Sequence, residues 1–504
     1  MRSYLTAPGW KRKLRLMIIR RLVAVMAAAS VLSVSDIASA QDVGASATPN
    51  RTWLAGDHHI HSRFSLGYAS AFGGRSRVLG WLLGADGIYP TATNAQMALQ
   101  HGLSWMVTTD HGGPRHARLN HDVAYPELIA SRNKVSQVLQ FYGMEFDTPG
   151  GDHSSIILPR TDAEQSVLLD LESRFSTREA WPPDRSRDTE PRMLDALRHM
   201  QTVAAPPVVI AHHPSRTARG VGVYGAYDPA EFRDWNDLAP EIAVGMEGAP
   251  GHQAAGLTRD GSGDPGGRRG SYRHSPTLGG FDQMTARLGG FWDSMLGEGR
   301  RWWITSTSDS HKHYTGGGSD FWPGEYSKTY VRATRDHADI LDGLRNGRVF
   351  VTTGDLVSEL DVTVTSGERS AAIGGRLLAT PGQTIAITIQ LRDPAAANFS
   401  GSQSDVSRVD LIIGDVTGPR ADRDGDSNPT TRVAQRFTEA EWRRDGEVLT
   451  MTYSLPDPGK PIYVRVRGTN TTELEPRPDP AGENPWTDLW FYSNPVFIEQ
   501  PLPL

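Results

Sequence analysis

The sequence predicts an α/β architecture with a parallel sheet, open or closed into a barrel, followed by an all-β region. Three observations carry this expectation. Short apolar runs of strand length recur through the first two thirds of the chain, each ending in His, Asp or Glu. Longer segments able to hold helices separate most of them. After residue 355 the helical segments give way to closely spaced, alternating or β-branched runs.

The runs follow in order. Trp53-Leu54-Ala55 leads into Asp57-His58-His59-Ile60-His61-Ser62, where His59 and His61 share one face if the strand alternation continues. Leu103 to Thr109 ends in Asp110-His111. Phe141-Tyr142-Gly143-Met144 leads to Glu145, and His153 precedes Ile156-Ile157-Leu158. Val208-Val209-Ile210-Ala211 ends in His212-His213-Pro214, and Trp302-Trp303-Ile304-Thr305 runs into Ser308-Asp309-Ser310-His311. Helices are expected over 92–101, 124–139 and 191–203. Ligands at the carboxyl ends of several parallel strands converge on one mouth, where such folds place their chemistry. A lone His-x-His is weak evidence; its recurrence with matching strand-end ligands is not.

The ordered set His-x-His, Asp-His, Glu, His, His-Pro and Asp-x-His resembles the polymerase and histidinol phosphatase (PHP) family of metallohydrolases over residues 53–355. The resemblance implies a distorted barrel of about seven strands, a (β/α)7 barrel, holding two or three divalent ions. His59, His61 and Asp309 are then similar to ligands of a first metal, and Glu145 to a bridging carboxylate. His153 and His213 resemble ligands of a second metal, and His111 and His311 of a third. Where many members carry another His or Asp, this chain has Gly67. The third site is then incomplete, or completed by Asp110, water or substrate; Asp110 also reads as a group that orients a ligand.

The chain has 504 residues, formal net charge −6 and no cysteine. The length implies at least two domains, and the acidic balance argues against a general nucleic-acid or membrane-surface binder. Without thiolates, every metal must be held by nitrogen and oxygen, which suits Mn, Zn, Fe or Co. Lys11, Arg12, Lys13, Arg15, Arg20 and Arg21 precede an apolar stretch over 22–34, with Ala38-Ser39-Ala40 beyond it. This reads as a secretory signal peptide over 1–40, with initiation at Met1 or Met17, and implies a periplasmic or secreted protein with no membrane span after cleavage. Residues 41–52 read as a flexible lead-in, and 356–504 as a C-terminal β-sandwich.

Two segments interrupt the strand–helix rhythm. Residues 173–190 read as a surface loop. Residues 251–280, rich in Gly, Arg and Ser and containing His252 and His274, are expected near the mouth. Asp422 to Asn428 has some flavour of a calcium loop, but Val433 stands where Glu is wanted, so a charged loop between strands is the expectation.

A pair of divalent ions makes hydroxide available at neutral pH and offsets charge on substrate oxygens. Neutral imidazoles leave such a site cationic, which favours an anionic phosphoester. Glu145 is the natural bridge. His212, His311 and His313 are candidates to pass a proton to the leaving group; Arg216, Arg219 and His313 are candidates to contact substrate. Glu247 reads as a loop-fixing carboxylate. The expected activity is a phosphodiesterase of broad small-molecule specificity, without a nucleic-acid complex. The alternative is a carbamate or carboxylic ester hydrolase, because Ser308-Asp309-Ser310-His311, Val351-Thr352-Thr353-Gly354 and Ser493-Asn494-Pro495 look similar to the exported carbaryl hydrolase-like branch of the family. A non-enzymatic module with a decayed site is the third reading. The sequence does not give the oligomeric state.

Overall fold

A computed structural model describes residues 50–70 and 79–501; the signal-peptide reading and residues 41–49 of the lead-in lie outside them. The region around the predicted ligands is built on β1 (Thr52–Asp57), β2 (Trp105–Thr108), β3 (Leu139–Asp147), β4 (His153–Ile157) and β5 (Val208–Ala211). It continues through β6 (Ala243–Ala249), β7 (Trp303–Ser306), β8 (Ser327–Ala333) and β9 (Val349–Thr353). Residues of β2, β4, β5, β6 and β7 are buried throughout, which is why they read as continuous apolar runs.

The sheet is mixed, which corrects the expectation of a parallel one. β1–β2–β3 and β5–β6–β7 are parallel runs, but β4 lies antiparallel between β3 and β5. Only residues 148–152 connect β3 to β4, too few for the crossover that a parallel pair requires. On the other side, β1 pairs antiparallel with β8, and β8 with β9. The edge strand β7 is tied to β8 through a side chain: Thr329 Oγ1 donates to Ser306 O at 2.7 Å and accepts from Ser306 N at 2.8 Å.

Helices cover the sheet: α1 (Thr91–Gln100), α2 (Tyr125–Lys134), α3 (Glu164–Phe175), α4 (Glu190–Met200), α5 (Pro229–Leu238), α6 (Phe291–Gly297) and α7 (His337–Arg345). Their sequences explain them. In α4 the buried Met193, Ala196, Leu197 and Met200 recur at helical spacing on one face. Asp228 caps α5 by accepting from Glu231 N, with Pro229 in the first turn, and Asp336 caps α7. Among the described residues no helix is long and apolar enough to cross a membrane.

The central sheet continues past residue 355, because β9 pairs with Trp490–Ser493. Arg408–Asp415, Ile462–Thr469 and Val496–Glu499 belong to this 15-stranded sheet, whereas Glu359–Ser366, Ile385–Arg392 and Val448–Leu455 join a separate five-stranded antiparallel one. Leu360, Val362 and Val364, with Ile385, Ile387 and Ile389, turn inward and share one core with Leu411, Val464 and Val466. The 422–428 loop is filled by the protein's own cations. Arg233 donates to the carbonyls of Arg423 and Gly425, and Arg423 pairs with Asp234 and Asp237. It is a charged loop between strands, as expected.

Candidate metal centre

The strand ends meet at one place. His61 N donates to Ser310 O, Thr109 N to Ile60 O, Glu145 N to Thr109 O and His212 N to His153 O. These backbone bonds set the ends of β1, β2, β3, β4, β5 and β7 side by side. His59 and His61 face one partner as the alternation predicts: their Nε2 atoms lie 2.9 and 3.1 Å from Asp309 Oδ1. His58 turns the other way, between Ser155 Oγ at 2.9 Å and Thr305 Oγ1 at 2.8 Å. Its complete burial, followed by the like charge of His212, lowers its pKa to about 3, so it is a neutral core residue.

Glu145 stands at the centre, its side chain 2% exposed. Oε1 lies 3.1 Å from His59 Nε2, 2.7 Å from His153 Nδ1, 3.0 Å from His212 Nδ1 and 3.1 Å from His213 Nε2. Oε2 faces a different set, His61 Nε2 at 3.5 Å and His111 Nε2 at 3.7 Å. One carboxylate thus presents an oxygen to each of two imidazole groups, which is the disposition of a bridging ligand. Burial alone would favour the neutral acid, but the charges of His153 and His59 hold Glu145 well below the usual carboxylate range.

Buried nitrogens here approach carboxylates without a well-aligned hydrogen bond. His59 Nε2, His61 Nε2, His111 Nδ1, both ring nitrogens of His153, His213 Nδ1 and Asp309 Oδ1 are inaccessible to solvent and without a hydrogen bond. A buried polar atom without a hydrogen bond costs about 1–3 kcal/mol, so their concentration at one place marks room for a further group. Ligand atoms of His59, Glu145, His212 and His213 lie within 4.8 Å of one another, as do those of His59, His61 and Asp309, and those of His61, His111 and His311. These buried groups could hold divalent metal ions, and the orphaned nitrogens fit that demand.

The groups behind the ligands are equally specific. Glu247 Oε1 lies 2.7 Å from His59 Nδ1, fixing the tautomer that leaves Nε2 facing the cluster; its Oε2 accepts from His213 N at 2.6 Å. Thr307 Oγ1 donates to the same carboxylate at 2.6 Å. Asp110 is turned away from Glu145. It accepts from Ser62 N, Ser62 Oγ and Ser65 Oγ, and Ser65 Oγ in turn bonds His61 Nδ1 at 2.8 Å. Asp110 therefore orients His61 through Ser65, and the reading of it as a direct ligand is corrected.

Other expected residues fall elsewhere. Arg216 is forked onto Asp152, at 3.1 Å through Nε and 2.6 Å through a terminal nitrogen, and Asp152 lies 3.5 Å from His213 Nδ1. The guanidinium buttresses a His-facing carboxylate rather than waiting for an anion. Arg219 is exposed. His313 bonds Thr315 Oγ1 and Glu325 Oε2 and stacks on Trp322 at 5.2 Å, so its ring serves the 313–325 loop and not the cluster. His212 bonds Glu145 on one side and Ser155 Oγ on the other and stacks on His59 at 3.5 Å. Burial and the charge of His59 lower its pKa to about 4, leaving it neutral and enclosed.

Three loop residues at the cluster are absent from the expected set. His252 Nε2 lies 2.9 Å from Asp309 Oδ2, while its other nitrogen contacts Asp320. Asp320 also accepts from His311 N and Lys312 N, at 2.7 and 2.8 Å. Asp86 Oδ2 lies 2.7 Å from His111 Nε2. Asp320 follows no apolar run, whereas Asp86 stands just past Leu79–Leu83 and carried that signal unread; the Gly-rich segment's position near the mouth was the only hint of His252. That segment is firmly packed: Arg269 is fully buried against Gln253, Glu483 and Tyr326.

No family model matches this chain, and no curated protein matches it. Among solved structures, one of Endonuclease Q in complex with a 27-mer duplex substrate bearing an abasic lesion at the active site aligns with 11% identity and TM-score 0.29. The alignment covers 59% of this chain and 56% of that one, just over half the length of each, and similarity at that level carries no functional argument. The buried histidine-rich cluster by itself fits a metallohydrolase.

Proposed function

We propose that this chain is a hydrolase of the PHP type, acting on phosphodiesters of small organic alcohols through two divalent ions held at the Glu145–Asp309 cluster. The observation that carries the reading is Glu145, whose two oxygens face separate imidazole groups with orphaned nitrogens among them. His59, His61 and Asp309 would hold one ion, and His153, His213 and Glu145 Oε1 the other. When bound, the ions supply a nucleophilic hydroxide and neutralise charge on the substrate.

The protein's own residues do the positioning. Glu247 holds His59, the Asp110–Ser65 pair holds His61, and Asp152 with Arg216 backs His213. His212 and His311, expected as proton donors, are engaged within the cluster, His212 with Glu145 and Ser155, His311 with Asp309 and Asp86. Access is assigned to the cavity of about 270 Å³ beside His153, lined by Asp147, Asp152, Arg178, Arg185 and Asp188. The reading takes the protein as exported, on the basic-then-apolar order of its first 40 residues.

A second reading, hydrolysis of carbamates or carboxylic esters, draws support from Arg216, whose fork is occupied by Asp152. Mn- or Zn-loaded protein assayed side by side on bis(p-nitrophenyl) phosphate, p-nitrophenyl phosphate and 1-naphthyl methylcarbamate separates the two. Diester turnover abolished by a chelator is expected. Carbamate turnover without any phosphoester turnover would overturn the first reading in favour of the second.

A further inference from the structure

Of the strand-end carboxylates at the group His61, His111 and His311, Asp309 lies 3.1 Å from His61, and Glu145 is 3.7 Å from His111. A carboxylate nearer to His111 comes from the segment after the hairpin of Leu66–Ser70 with Leu79–Leu83. Asp86 Oδ2 sits 2.7 Å from His111 Nε2 and 3.5 Å from His311 Nε2. The rings themselves are close, His61 stacking on His311 at 3.7 Å and meeting His111 edge-on at 5.1 Å. His111 turns its Nε2 to Asp86, and His311 Nδ1 contacts the Asp309 carbonyl at 2.9 Å, which leaves its Nε2 facing inward.

Glycines admit this segment. A side chain on Gly67 would place its Cβ 2.8 Å from Ala85 C and 2.9 Å from Asp86 N, against backbone that must then move. One on Gly87 would lie 2.1 Å from Ser62 O. The bonds Arg63 N to Tyr89 O and Ile88 N to His311 O hold the segment just beyond Asp86. Gly67, a position that offers no ligand of its own, is therefore where the backbone carrying Asp86 packs.

We propose that Asp86 is a metal-ligating carboxylate, admitted by the bare backbone at Gly67, that completes with His111 and His311 an ion site separable from the two ions on the Glu145–Asp309 cluster, to which His61 belongs. The inference rests on the metal-centre reading above. Asp86 is 37% exposed, whereas the imidazoles it joins are mostly buried. The ion there sits at the rim and is the first to leave under a chelator.

The test counts ions rather than turnover. Wild type, Asp86→Ala, Asp86→Asn and Gly67→Ala are loaded with Mn²⁺, desalted and measured by elemental analysis, with Mn²⁺ titrations to resolve affinities. The expected result is one ion fewer per chain in Asp86→Ala and Gly67→Ala, with the remaining ions bound as in wild type. Asp86→Asn, which keeps the shape and loses the charge, should bind that ion at least about 10-fold more weakly. Circular dichroism of the metal-free proteins confirms that each variant is folded. Equal ion counts and affinities in wild type and Asp86→Ala would overturn this proposal while leaving the two-ion centre standing. A wild type that binds no ion would overturn both.

Discussion

Two buried carboxylates of this protein look alike by exposure and differ in what surrounds them. Asp293, in α6, accepts from Arg465 through two nitrogens at 2.8 Å each, from Tyr463 Oη at 3.0 Å and from Gly289 N at 2.7 Å. Its charge is answered by a fixed cation inside the fold. Glu145 is met by imidazoles, several with nitrogens that make no well-aligned hydrogen bond. A carboxylate matched to a guanidinium is a structural joint. One matched to converging imidazoles, themselves oriented from behind by Glu247 and Ser65, could hold divalent ions.

Substitutions should separate the two kinds. The largest effect is expected for Glu145→Ala: turnover of the best substrate falls by at least about 1,000-fold as the activated nucleophile is lost, with the fold intact by circular dichroism. Wild-type-like turnover would remove Glu145 from the centre. Asp293→Ala should do the reverse. It strands Arg465 and costs about 3–5 kcal/mol of stability, read as a drop in denaturation midpoint, while metal content per folded chain is unchanged.

A third pair sharpens the contrast, because it uses the same residue types as the centre. His116 Nδ1 contacts Glu172 and its Nε2 lies 3.2 Å from Phe64 O, so both ring nitrogens have protein partners. Burial opposes its charge, but the carboxylate of Glu172 outweighs burial and raises its pKa to about 9. The folded value lies above the unfolded one, so the stabilisation is fully present below about pH 6.5 and is lost as pH rises through about 9. It amounts to on the order of 3 kcal/mol. Chemical denaturation across that window should show the decline, and Glu172→Gln should flatten it; an unchanged slope in that variant would assign the titration to another group. The smallest effect is expected for Glu247→Gln, which loosens His59 without removing a ligand and should weaken metal binding roughly 10–100-fold by titration. Unaltered affinity would reduce Glu247 to a loop tie.

Much of the centre was legible because its ligands sit where apolar runs stop. His59, His61, His111, Glu145, His153, His213, Asp309 and His311 all meet at the cluster. Roles inside it were less legible. Whether Asp110 faces an ion or Ser65 depends on a side-chain rotation that strand periodicity does not encode. The Arg216 fork depends on Asp152, far away in sequence and adjacent only after folding. His252, Asp320 and Asp86 come from loops, where no period marks which side chain points inward. Of the fold, the strands and the α4 face followed from spacing. The direction of β4 was readable in principle, since Thr148-Pro149-Gly150-Gly151-Asp152 is turn chemistry with no room for a helix. The division of the later strands between two sheets was not, because alternation fixes which face is buried but not which neighbour is paired.

The central claim is that the Glu145–Asp309 cluster exists to hold divalent ions. Metal-loaded, desalted wild-type protein and Glu145→Ala, compared by elemental analysis per folded chain, test it most directly. The expected result is at least two tightly held ions in wild type and fewer in the variant. Equal metal content in the two proteins, or none in wild type, would contradict it.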